Sequence, residues 1–197
     1  MKKLIFVTLI NFLFFSKLLA LIEVDITRGN LDPLPIAVSP LHVDIKSEDF
    51  QGLKIKNLGA DISKIIEINF KNTGLFNPLE RDAFVQKPDI AHLKPRFEDW
   101  RLIKAQALVT GKLLVKDGKL KVEFRLWDLT AAQEMTALAF TTTPSNWRRV
   151  AHIISDKIYE RLTGEQGYFD TRIIYVAESG PKNKRIKKLA IMDQDGA

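Results

Sequence analysis

The chain holds three histidines, His42, His92 and His152, and their spacing fits no metal-ligand pattern. His152 and Asp156 stand one turn apart on a helix-forming stretch, so imidazole and carboxylate can meet there. The simpler expectation for them is a surface pair; the sharper alternative is a general-base dyad. Asp193-x-Asp195-Gly196 opens like a calcium loop. It lacks the further acidic or amide residue before the glycine and the distant glutamate that such a loop needs, so a turn after a strand is expected. The chain has no glycine-rich phosphate loop, no Gly-x-Ser-x-Gly elbow and no His-Glu-x-x-His pair. Trp127-Asp128 matches a dipeptide of some propeller repeats, but a single match carries little weight. These residues predict no catalysis, no cofactor and no metal. The competing class is an enzyme or metal-dependent regulator built on His152, Asp156 and the Asp193/Asp195 turn.

The elements that must position these groups follow from hydropathy. Lys2 and Lys3 precede an apolar run from Leu4 to Phe15, and a short segment then leads to Ala20. This order of charged, apolar and small residues describes a secretory signal peptide over residues 1–20, cleaved between Ala20 and Leu21. A membrane span needs roughly 20 apolar residues, and Lys17 interrupts this run too early, which leaves a short retained anchor as the alternative. Without cysteine, an exported chain must be held by its core alone. The net charge of +6 is not a nucleic-acid signal. The basic excess lies in the signal segment and in Lys182, Lys184, Arg185, Lys187 and Lys188, where a solvated turn and strand edge are expected.

In the body, Leu34–Val38 is a buried strand ended by Ser39-Pro40, and residues 41–56 are expected as loop. Leu58, Ile62, Ile65, Ile66 and Phe70 line one face of a helix from about Asn57 to Asn72, capped by Gly74. Phe76–Leu79 is a short strand, residues 80–96 a loop with Pro88 and Pro95, and Glu98–Gln106 a short helix. Residues 107–143 form a meander. Asp117-Gly118 is its type I′ turn; Leu120, Val122, Phe124 and Leu126 face the core, while Lys121, Glu123, Arg125 and Trp127 face away. Thr143-Pro144 opens a second helix with the stripe Trp147, Val150, Ala151, Ile154, Ile158 and Leu162, stopped by Gly164. The fold class is therefore α/β, a mixed sheet packed with two principal helices.

Two further segments stand outside that body. Ile22, Glu23, Val24, Asp25, Ile26 and Thr27 alternate apolar and polar at the mature N-terminus. Such a strand can pair within its own domain or add to a partner's sheet edge. Thr171–Ala177 and Ile186–Met192 form a hairpin beyond Gly164–Gly167 with apolar residues on both faces, which is not expected to be stable alone.

Leu21–Gly29, Pro35–Pro40 and Phe76–Leu79 together resemble the N-terminal domain of the TolB family, the periplasmic propeller proteins of the Tol–Pal system. Phe124–Asp128, Asn146–His152, Ile158–Gly164 and Ala190–Gly196 are particularly similar to alphaproteobacterial members. The resemblance implies an α/β domain over residues 21–167 and the first two strands of an incomplete β-propeller over 168–197. It further implies a non-enzymatic periplasmic role in outer-membrane invagination at division and in envelope integrity. It assigns TolA docking to the strand at Ile22–Thr27. Pal docking, which the family places on the propeller, is carried over to no residue here. N-terminal sequencing of exported protein is expected to begin at Leu21; recovery of intact Met1 in membranes would instead favour the anchor.

Overall fold

The computed structural model describes residues 32–47, 49, 50 and 53–197. The expected signal segment, its cleavage site at Ala20 and Leu21, and the strand Ile22–Thr27 lie outside those residues. The described elements begin with β1 (Leu34–Val38), β2 (His42–Val43), α1 (Ile55–Thr73) and β3 (Phe76–Pro78). A 3-10 turn (Arg81–Ala83) and the short helices α2 (Pro88–Ala91) and α3 (Phe97–Leu102) follow. Then come β4 (Ala107–Lys116), β5 (Lys119–Asp128), β6 (Gln133–Thr142), a 3-10 turn (Pro144–Asn146) and α4 (Trp147–Thr163). The hairpin β7 (Arg172–Ser179) and β8 (Ile186–Asp193) comes last.

A six-stranded mixed sheet runs in the order β3-β1-β4-β5-β6, with β2 also paired to β4. The pairs of β1 with β3 and β4 and of β2 with β4 are parallel; β4–β5 and β5–β6 are antiparallel. β1 and β2 lie end to end along one edge of β4, with Val38 opposite Val109 and His42 opposite Lys112. Pro40 sits in the gap, where its missing N–H explains the break in the ladder. Residues 41–56 are therefore not all loop: β2 and the first turn of α1 fall within them. A two-residue strand exists only because β4 lies beside it, which its local sequence does not reveal. Asp117 and Gly118 have φ of 51° and 69°, the left-handed pair that a type I′ turn requires.

Both principal helices lie on one face of the sheet. Leu58, Ile62, Ile66 and Phe70 of α1 meet Val150, Ile154, Ile158 and Leu162 of α4 over Val109, Val122, Phe124 and Leu126. Phe169 joins this core, with its ring 5.8 Å from Tyr159 and 6.3 Å from Phe70. The opposite face is not simply wet. Trp127, expected to point to solvent with Lys121, Glu123 and Arg125, is buried in a second cluster with Ala37, Ala91, Trp100, Ala105, Leu108 and Leu129. The register shifts between Leu126 and Trp127. The indole N–H donates to Thr110 Oγ1 at 2.9 Å, and Phe97 packs edge-on at 5.8 Å. Alternation along β5 shows which residues share a face; the segment that covers that face comes from residues 79–105. The expected loop at 80–96 accordingly contains a 3-10 turn and α2, which starts at Pro88.

The hairpin pairs Arg172 with Asp193 through to Ser179 with Ile186. Ile173, Ile174, Tyr175, Val176, Ile186, Leu189 and Ile191 are exposed along it. Its basic run is solvated as expected, and Arg185 and Lys187 each reach Glu178 at 3.0 Å.

α1 approaches the chain closely where β1 breaks. Leu41 N–H donates to Gly59 O at 3.1 Å, and Ser63 Oγ donates to Ser39 O and Gly59 O, both at 3.0 Å. A Cβ at position 59 would lie 1.9 Å from Leu41 O, a backbone atom that cannot step aside alone. Helix propensity alone makes Gly59→Ala stabilising by about 1 kcal/mol. Forcing atoms into a packed contact typically costs about 1–3 kcal/mol, and the steric term should dominate here. Urea unfolding is expected to show a net loss of up to about 2 kcal/mol; a raised midpoint would contradict the close approach.

Candidate functional site

Asn69 falls three residues after Ile66, four after Ile65 and seven after Ile62, which places it on the apolar stripe of α1. His152 and Ser155 occupy the facing side of α4, and all three are buried. A buried amide or hydroxyl is costly unless hydrogen-bonded, so this arrangement is specified by its partners. Ser155 Oγ donates to Ala151 O at 3.0 Å and accepts from Asn69 Nδ2 at 2.9 Å. The same Nδ2 lies 3.1 Å from His152 Nδ1. With the amide in this orientation Nδ1 accepts, and the proton of the neutral imidazole sits on Nε2. Asn69 Oδ1 accepts from Gln194 Nε2 at 2.8 Å, so the turn after β8 is tied into the helix pair.

That turn also delivers its carboxylates. Asp195 Oδ2 is 2.6 Å from Arg148 Nη2 and 3.6 Å from His152 Nε2. Arg148 lies over the Trp147 ring, 5.6 Å from its centroid. Asp193 Oδ1 is 3.8 Å from Arg172 Nε across the strand pair. His152, Asp193 and Asp195 each offer a ligand atom within 4.8 Å of the others.

Asp156 does not join them. Its Oδ1 accepts the Phe169 N–H at 2.6 Å and its Oδ2 accepts the Asp170 N–H at 3.1 Å. A Cβ at Gly167 would lie 2.4 Å from Asp156, so the chain turns tightly over this carboxylate. Burial pushes the Asp156 carboxyl above its usual range, against the pull of the two N–H bonds. The expected surface pair of His152 with Asp156 is therefore corrected. His152 is only 1% exposed, and Asp156 anchors the 167–170 turn instead. One turn of spacing permits contact but does not decide which way either side chain is drawn by its other neighbours.

His42 and His92, far apart in sequence, stack with centroids 4.3 Å apart and planes 3° from parallel. Burial, then the neighbouring His92, push the His42 imidazole below its usual value. Sequence spacing carries no signal for this pair. For Asn69 a signal existed: a polar residue at an apolar-stripe position. Gln194 and Arg148 have no comparable mark.

The family model for the TolB amino-terminal domain matches residues 22–135. The chain belongs to the TolB family. It is 71% identical over 182 residues to the Tol-Pal system protein TolB of Pelagibacter ubique (strain HTCC1062), covering 91% of this chain and 41% of that relative. The crystal structure of TolB from Acinetobacter baumannii superposes with a TM-score of 0.67 at 23% identity, over 89% of this chain and 40% of that one. The chain thus spans about two fifths of the length of these TolB relatives. The shared fold is the mixed sheet with its two principal helices. Among the described residues, no helix is long and apolar enough to cross a membrane.

Asn69→Leu keeps the number of side-chain heavy atoms, adds the bulk of two methyl groups and removes the shared partner of Ser155, His152 and Gln194. Ser155 keeps its bond to Ala151 O and Gln194 is only half-buried. The main cost is therefore the unpaired His152 Nδ1 together with overpacking, and a loss of about 2–4 kcal/mol is expected in urea unfolding. An unchanged midpoint would show that the buried network adds nothing to stability.

Proposed function

We propose that this chain serves as a non-enzymatic periplasmic interaction component of the Tol–Pal system, supporting outer-membrane invagination during division and envelope integrity. The observation that carries this reading is the 71% identity, sustained through nearly the whole chain, to a relative named for that system. In this reading residues 1–20 are a cleaved signal and residues 21–167 form the α/β domain. Residues 168–197 are the first two strands of a propeller blade. The exposed apolar side chains on β7 and β8 support the last point, because a strand pair of this kind gains stability only when neighbouring sheets cover it. The family's second partner, Pal, docks on propeller surface, and no residue here is assigned to it.

TolA is the partner proposed for Ile22, Glu23, Val24, Asp25, Ile26 and Thr27. Alternating side chains suit strand addition: backbone hydrogen bonds supply affinity, and one apolar face supplies burial. A second reading, an envelope enzyme or metal-dependent regulator, loses the support of Asp156, whose oxygens are both engaged by backbone N–H groups. Its remaining part, His152 with Asp193 and Asp195, fits a structural site better than a catalytic one, because His152 is closed off from solvent.

Full burial of Val24 and Ile26 contributes about 1.5–3 kcal/mol each, so Val24→Asp with Ile26→Asp should weaken TolA binding by at least about tenfold. Calorimetry against purified TolA is the measurement, with circular dichroism expected to show unchanged helix content. Parallel loss of fold and affinity would place the strand in the home domain and overturn the assignment.

A further inference from the structure

We propose that His152, Asp193 and Asp195 bind a divalent transition-metal ion, zinc foremost, which clamps the turn after β8 onto α4. Three features of the cluster converge on this: the gathering of its ligand atoms, an orphaned buried nitrogen and the spacing from that nitrogen to a carboxylate. The ligand atoms lie within 4.8 Å of one another. His152 Nε2 is buried and has no hydrogen-bond partner, and the nearest carboxylate oxygen, Asp195 Oδ2, is 3.6 Å away. That separation is too long for a good hydrogen bond. It is close to the roughly 3.3–3.4 Å between neighbouring ligands of a tetrahedral zinc site with bonds of about 2.0–2.1 Å.

A metal-binding imidazole must present a lone pair at Nε2 and carry its proton on Nδ1. The network around Asn69 can supply that tautomer at the cost of one bond, the donation from Ser155 Oγ to Ala151 O. Reversing the Asn69 and Gln194 amides together lets Asn69 Oδ1 accept from His152 Nδ1–H and from the Ser155 hydroxyl, whose proton turns away from Ala151 O. Asn69 Nδ2 then donates to Gln194 Oε1. The heavy-atom separations of 3.1, 2.9 and 2.8 Å serve either arrangement. The proton moves from Nε2 to Nδ1 and the net charge is unchanged, so Asn69 becomes the group that orients the ligand histidine.

The donor set selects the class of ion. One imidazole nitrogen and two carboxylates suit zinc and its neighbours, whereas calcium and magnesium favour shells built from oxygen alone. Three protein ligands leave a fourth position for water. Arg148 is the competitor, since its guanidinium holds Asp195 Oδ2 at 2.6 Å. With 34% of its side chain exposed, it has solvent to swing into when a cation arrives. The bound ion would join α4 of the α/β domain to the base of the hairpin, a linkage separate from the proposed TolA strand.

The test uses the full mature chain, stripped of metal and titrated with zinc chloride against a chromophoric zinc chelator, with calcium and magnesium chlorides as controls. One zinc per chain is expected at micromolar affinity or tighter, on the order of a hundredfold above the controls. Asp193→Asn should weaken zinc binding by about tenfold or more, as the loss of one charged ligand predicts. Arg148→Gln should tighten it, because the competing cation is gone. His152→Gln tests the buried ligand, and Asp193→Asn, at a partly exposed position, keeps the test valid if that variant fails to fold. Absence of binding at millimolar zinc, affinity unchanged by Asp193→Asn, or equal affinity for calcium would each overturn the site. None of these outcomes bears on TolA affinity, which is measured separately.

Discussion

A single buried amide sets the terms for much of this domain. Asn69 stands where the stripe of α1 calls for an apolar residue, and removing an amide from water is tolerable only if its bonds are replaced. Its Nδ2 reaches Ser155 and His152 on α4, and its Oδ1 reaches Gln194 beyond β8. Apolar helix faces can slide past each other by a fraction of a turn at modest cost. A directional three-way bond cannot, so the amide fixes the register of α1 against α4 and the seat of the hairpin base. A buried polar network of this kind favours one core arrangement, although the net contribution of each bond to stability is small.

Around that fixed point the sheet is held from both sides by different means. On one face the two long helices supply continuous apolar cover. Where β1 breaks at Pro40, α1 draws in so closely that only glycine fits at position 59. On the other face the cover is patchwork: short helices and turns carry Trp100 and Phe97 over Trp127, and Gln86 Oε1 accepts from the Trp100 indole at 3.0 Å. β1 lies between β3 and β4, inside the sheet and not at its edge. A load on the segment that precedes it, where TolA docking is proposed, would therefore pass into a strand paired on both sides.

The long elements were legible in the sequence because their signals are local and repeated. The stripe from Leu58 to Phe70, the alternation from Leu120 to Leu126, the glycines at 74 and 164 and the Asp117-Gly118 turn each state a backbone geometry that neighbouring residues alone enforce. The family resemblance was legible for the same reason, since ordered local segments survive comparison. The apolar stripes of both long helices follow from residue spacing alone, and their members make up the main core.

The sequence by itself thus determined which of the long stretches are helix or strand, which face of each is apolar, and that the chain carries no pattern for an established catalytic site. Only the tertiary structure decided what each face meets. It turned Trp127 from a solvent-facing residue into part of a second core and joined β2 to β4. It also separated His152 from Asp156 and brought His152 instead to Asp193 and Asp195. The physical reason is common to all four. Periodicity records the direction in which a side chain leaves its own backbone, whereas hydrogen bonds, packing and ligand sets depend on segments that are distant in sequence and meet only when the chain closes on itself.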